Sequence, residues 1–191
     1  MASLPKEGAS TVELFDAFPD HLGATAFRQV ARAMVDAVRA DRPVVAAFGA
    51  HVIKVGCGPI LVDLIRRGIV KAIACNGACA IHDIELASGG ETSEEVADTI
   101  RDGSFGMVTE TLHFFDDAAR LAQDESIGLG AAVGRLLVDN KVSHRELSVF
   151  VAAYEAGIPA TAHVALGTDT VHVSANMDGA APSANRLGRP R

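Results

Sequence analysis

The sequence has no tryptophan, one tyrosine and 5% aromatic residues. Its 49% hydrophobic content therefore rests on Ala, Val, Ile and Leu, enough for a packed aliphatic core. Cysteine is scarce too. Cys57, Cys75 and Cys79 are too few for a disulfide framework, which points to a reducing, cytoplasmic setting. Positive charge is short: 17 Lys+Arg stand against 24 Asp+Glu, for a net charge of −7 and a pI near 5.4. A nucleic-acid partner needs clustered Lys/Arg against phosphates, so none is expected. No uncharged apolar run approaches the ~18 residues of a spanning helix, which leaves no membrane segment. Residues 1–8 lack the apolar stretch of a secretory signal.

What is present has a rhythm. Residues 1–23 hold Pro5, Gly8, Pro19 and Gly23 and read as an irregular lead-in. Thr25 is a candidate N-cap. Phe27, Val30/Ala31, Met34 and Val38 then recur at helical spacing, and Arg42-Pro43 ends the helix. Val44–Phe48 is a short apolar run closed by Gly49, as in a strand buried on both faces. Gly56-Cys57-Gly58-Pro59 opens a second helix, which Gly68 ends. Val70–Cys75 repeats the strand, broken at Asn76-Gly77. Helices follow over 80–87, from the Thr92-Ser93 cap to Asp102, along Val108/Leu112/Phe115/Ala119, over 126–138, and after Ser143 with Leu147, Val151 and Tyr154 inward. Residues 160–166 make a third strand. Residues 180–191 hold three Arg and no apolar pattern, so a disordered tail is expected there. Strand, helix, strand, helices, strand is the order of a parallel α/β sheet with helices on both faces. It is a thin sheet, so an incomplete fold is expected.

In such sheets ligands bind beyond the carboxyl ends of the strands. Those ends are Gly49-Ala50-His51, Asn76-Gly77-Ala78 and Leu166-Gly167-Thr168-Asp169. Gly56-x-Gly58 opens a helix whose free N–H groups suit a phosphate. Ordinary strand-to-helix turns look the same, and only the convergence of three argues for a site. Gly128-x-Gly130-x3-Gly134 follows a helical stretch and no strand, so it reads as close helix packing and not as a dinucleotide fingerprint. Cys75-x3-Cys79-x2-His82 lacks a standard zinc spacing, and no metal site is expected. Asp83 and Glu85, just past the second turn, can hold a ribose hydroxyl or a cationic substrate, or simply complement a helix dipole. His163 and His172 flank Asp169.

The run from Gly49-Ala50-His51 to Gly56, then Asp63–Val70, Asn76-Gly77-Ala78 and His82-Asp83, resembles the deoxyhypusine synthase family, closest to a bacterial branch. Ala156-Gly157-Ile158-Pro159 and Leu166-Gly167-Thr168-Asp169 extend the resemblance, which covers about residues 25–180. It implies a Rossmann-like domain over 24–179 and a homo-oligomer. It also implies NAD-dependent transfer of an aminobutyl group from spermidine, a polyamine substrate, to an amine. The cofactor residues it implies are Gly49, His51, Gly56, Asn76, Gly77, Ala78, Asp83, Thr168 and Asp169. Two departures stand out. No lysine follows Lys141, so the family's catalytic-lysine segment is missing and a C-terminal truncation with impaired activity is expected. Ala50-His51 and His82 also replace the family's usual polar and acidic residues. Lys54 is the one lysine beside the strand ends. The alternatives are a non-catalytic nucleotide-binding or regulatory module, and a metal hydrolase using His51, His163, Asp169 and His172.

Overall fold

The computed structural model describes residues 7–92, 96–103, 108–165 and 167–173. The tail read at 180–191, the Ser93 cap and Leu166 lie outside them. The chain divides into two compact units, residues 1–44 and 45–191.

The first unit corrects the irregular lead-in. A helix, α1 (Thr11–Asp16), starts from a capping box: Glu13 N–H donates to Ser10 Oγ at 3.3 Å, and Ser10 N–H donates to Glu13 Oε2 at 2.8 Å. Its successor, α2 (Leu22–Arg39), begins one turn before Thr25, with His21 at the N-cap. Phe15 of α1 packs on Phe27 of α2, ring centroids 4.6 Å apart. Arg28 ties the connection by donating to the Phe15 and Phe18 carbonyls at 3.1 and 3.0 Å.

The three strands are β1 (Val44–Phe48), β2 (Val70–Asn76) and β3 (Ala160–His163), in the order β1-β2-β3. β2 and β3 are parallel, with Ile73 opposite Ala160 and Asn76 opposite His163. The third strand is shorter than the run 160–166 suggests. A single helical turn, α3 (His51–Lys54), follows β1 and was not evident in the sequence. It ends at Gly56, whose φ of +84° only glycine adopts without strain. Helix α4 (Gly58–Arg66) carries Pro59 in its first turn, where no intrahelical N–H is needed.

Helix α5 (Gly77–Gly89) springs directly from β2, three residues before the apolar pattern begins. Gly90, left-handed at φ +80°, ends it. Helix α6 (Val96–Asp102) is short, and α7 (Thr109–Asp124) buries Phe115, Ala118, Ala119 and Ala122. Helix α8 (Leu129–Asp139) and helix α9 (Val149–Glu155) form the densest contact. A Cβ on Gly130 would lie 2.8 Å from the Ala160 carbonyl carbon, and one on Gly134 would lie 2.9 Å from Tyr154 Cβ. The glycine spacing is thus a packing device, as the missing strand before it implied. The segment after Ser143 is not one helix. A 3-10 turn (Arg145–Leu147) precedes α9, which starts at Ser148, and Tyr154 is exposed.

The result is an α/β Rossmann-like fold, a parallel sheet flanked by helices. The fully buried Ile53, Ile73, Ile84, Phe115, Leu137 and Phe150 make its core. Each such side chain contributes about 1.5–3 kcal/mol through burial. Among the described residues no helix is long and apolar enough to cross a membrane.

Candidate functional site

The three strand ends meet at the first turn of α5. Asn76, the last residue of β2, is its N-cap, and Asn76 Oδ1 accepts the Cys79 N–H at 3.1 Å. Cys79 in turn points its thiol at the Phe48 carbonyl of β1, 3.7 Å away. Beyond β3, the Asp169 carboxylate lies against Gly77. A methyl on Gly77 would sit 2.9 Å from Asp169 Cγ and closer still to Oδ2. Glycine at 77 is therefore what lets the β3 loop close over the helix end.

Asp169 is buried at one oxygen: Oδ2 is out of solvent and has no hydrogen-bond partner. Burial raises its pKa, while the His172 charge and a backbone hydrogen bond from Ala165 act the other way. Gly167 N–H donates to His172 Nδ1 at 3.2 Å. His172 Nε2 is buried and unpartnered. Thr168 is exposed and donates to the Ala165 carbonyl at 2.7 Å. The segment after β3 thus holds a carboxylate oxygen and an imidazole nitrogen that are both buried without a hydrogen-bond partner.

Cys75 and Cys79 are free thiols. Their mutual hydrogen bond, with burial adding to it, raises the Cys75 pKa; the same bond lowers that of Cys79. Asp83 and Asp169 both oppose charge on Cys79.

The remaining sequence candidates lie apart or have other roles. Asp83 is completely buried, one turn further along α5. It accepts Ser148 Oγ–H at 2.5 Å and Val149 N–H at 2.8 Å. Its carboxylate thereby anchors the start of α9, and a ribose would have to displace both donors. Burial pushes its pKa up to about 6, against the pull of those hydrogen bonds. Sequence reading missed Ser148, whose signal was a serine directly before the apolar run 149–153. His82 pairs with Glu85 at 2.8 Å. His51 is exposed at the start of α3, and His163 contacts Thr161 Oγ1 through Nε2 at 3.0 Å. Gly49 has open space around it, so sterics do not require glycine there. Among the described residues no group of three or more His, Cys, Asp or Glu is placed to hold a metal ion. The donor set of the metal-hydrolase alternative, His51, His163, Asp169 and His172, is therefore not assembled among them.

Residues 28–104 match the family of the ArgZ-like arginine dihydrolase, C-terminal, Rossmann fold. The match takes in most of α2, then β1, α3, α4, β2, α5 and α6, with the strand-end residues from Gly49 to Ala78. No curated protein matches the sequence. The ArgZ-like match overturns the resemblance to deoxyhypusine synthase. With that resemblance go the expected transferase, the aminobutyl transfer and the spermidine substrate. The physical reason is that glycine turns after buried strands, followed by helices, punctuate any Rossmann-like sheet. They marked the fold and not one family within it. A Rossmann-like fold is consistent with nucleotide binding in general.

Proposed function

We propose that this chain is a nucleotide-binding Rossmann module, with NAD as its ligand, similar over residues 28–104 to the C-terminal part of ArgZ-like arginine dihydrolases. The observation that carries it is the meeting of Phe48, Asn76, Gly77 and Asp169 at the first turn of α5. That is where parallel α/β sheets bind ligands, beyond the carboxyl ends of their strands. Gly56, left-handed before α4, gives the turn after β1 the freedom to approach a pyrophosphate.

Calorimetric titration of the full chain with NAD, ADP-ribose and AMP tests the reading. Saturable NAD binding, weakened by Asn76→Ala, is expected. No saturation by any of the three at millimolar concentration overturns it. Activity is a separate measurement: ammonia release from arginine reads whether the dihydrolase name of the matched family extends to this chain.

A further inference from the structure

From Gly23 to Val38, the alternating three- and four-residue spacing of a helix seam meets only apolar residues on α2. Within the first unit, α1 reaches only the edge of this stripe. Phe15 packs on Phe27, and Arg28, on the flank, binds the Phe15 and Phe18 carbonyls. Phe27, Val30 and Val38 stay 47%, 60% and 45% exposed. A contiguous row of exposed large apolar side chains marks an interaction surface. Residues 174–191, the longest run outside the described residues, hold only Met177 and Leu187 as large apolar side chains, too few to fill it.

We propose that a second copy of the chain fills this stripe, α2 against α2, antiparallel about a two-fold axis. The order of side-chain sizes along the helix favours that arrangement. In an antiparallel pair centred between Val30 and Ala31, Val38 of one helix meets Gly23 of the other. Phe27 then meets Met34, Val30 meets Ala31 and Ala24 meets Ala37. Bulky side chains thus face small or flexible ones, as close helix packing needs. Gly23 has open space around it to receive Val38. A parallel pair instead sets Phe27 on Phe27 and Val30 on Val30, and leaves Gly23 and Ala24 facing their own copies across a gap. Charge favours the same choice. Glu13, Asp16 and Asp20 precede α2 with no Lys or Arg between residues 7 and 27, whereas Arg39 and Arg42 outweigh Asp41 at its far end. Antiparallel pairing brings each acidic end to the other copy's basic end and opposes the two helix dipoles. Asp20 pairs with Arg28 yet keeps its side chain 92% exposed, and it comes level with Arg39 of the other copy. A seam one 18-residue helix long, about 27 Å, is short, so a micromolar dimer is expected.

Size-exclusion chromatography with light scattering on the full chain, over a range of concentrations, tests the dimer. Val30→Asp places a charge at the centre of the seam and should weaken it at least about a hundredfold. Arg39→Glu turns attraction at both ends into repulsion and should weaken it about tenfold. Both positions are exposed, and circular dichroism checks that the variants fold. Nitroxide pairs report the orientation, attached to Arg39→Cys or Gln29→Cys in a Cys57→Ser background, the other two cysteines being buried. Antiparallel pairing separates labels at 39 by about 25 Å along the helix axes and those at 29 by only about 5 Å. A parallel pair gives equal separations at the two positions. A wild type that stays monomeric into the millimolar range overturns the proposal. So does a dimer that Val30→Asp leaves intact, or equal label separations at 29 and 39.

Discussion

Asp83 and Ser148, 65 residues apart in sequence, are joined by a buried hydrogen bond of 2.5 Å. Ser148 Oγ also accepts the Val151 N–H at 2.9 Å, and Asp83 Oδ1 takes the Val149 N–H. One carboxylate and one hydroxyl thus satisfy the start of α9, a helix end that no solvent reaches. Asp83→Ala removes two acceptor bonds at a fully buried place and leaves the donors orphaned. A loss of roughly 2–4 kcal/mol is expected. Urea unfolding measures it, and the Asp83/Ser148 double-mutant cycle should show strong coupling.

The same carboxyl gives stability a pH dependence of definite sign. Its folded pKa of about 6 lies above the ordinary 3.8. Between those values the folded state binds more protons than the unfolded one. Asp83 therefore contributes full stability below about pH 4, and that contribution is lost as pH rises through 6. Most carboxylates have the opposite slope, so the difference between wild type and Asp83→Asn isolates it. Urea midpoints at several values from pH 4 to 7 should show that difference shrinking as pH rises. A constant difference would show that Asp83 is ionised throughout.

The glycines of α8 separate steric need from mere helix propensity. In Gly130→Ala and Gly134→Ala the new methyl meets backbone or Cβ atoms of β3 and α9, which cannot swing aside. Overpacking of this kind costs about 1–3 kcal/mol and outweighs the ~1 kcal/mol that alanine gains in a helix. Gly89→Ala is the control. It lies in the last turn of α5 with nothing within 4 Å, and should be neutral or slightly stabilising. Thermal melting of the three variants should rank them accordingly.

These residues also show what a sequence reading can reach. Val44–Phe48 and Val70–Cys75 declared themselves as strands because both are short apolar runs closed by turn residues; the burial of β1 on both faces expected from its run is not found, since its residues alternate between half-buried and exposed, with Val45 58% exposed. Gly130 and Gly134 were readable as packing because no strand precedes them. The convergence on α5 was legible as far as strand ends go. The position of Asp83 was not, because a carboxylate in a helix's second turn looks alike whether it faces solvent or a partner 65 residues away. Family identity failed for a related reason. The glycine turns around Gly56 and Gly77 answer to backbone geometry, which every sheet of this type shares. Helix α1 was hidden by Pro19 and Gly8 on either side, although Ser10 and Glu13 carried its capping box.

The cysteines yield a last prediction, about access. Cys79 is completely buried and Cys75 is 5% exposed, whereas Cys57, at the N-cap of α4, is partly accessible. Lowered pKa ordinarily marks the reactive thiol, which would single out Cys79. Burial decides otherwise, because a disulfide reagent must reach the sulfur before its ionisation matters. Folded protein treated with an aromatic disulfide reagent should release about one equivalent of chromophore rapidly, from Cys57. The other two should react at the rate of local or global opening, and together with Cys57 in denaturant. Cys57→Ser should abolish the fast phase and leave the slow ones. A fast phase that survives in that variant would place Cys75 or Cys79 within reach of solvent, and a further Cys79→Ser change would tell which.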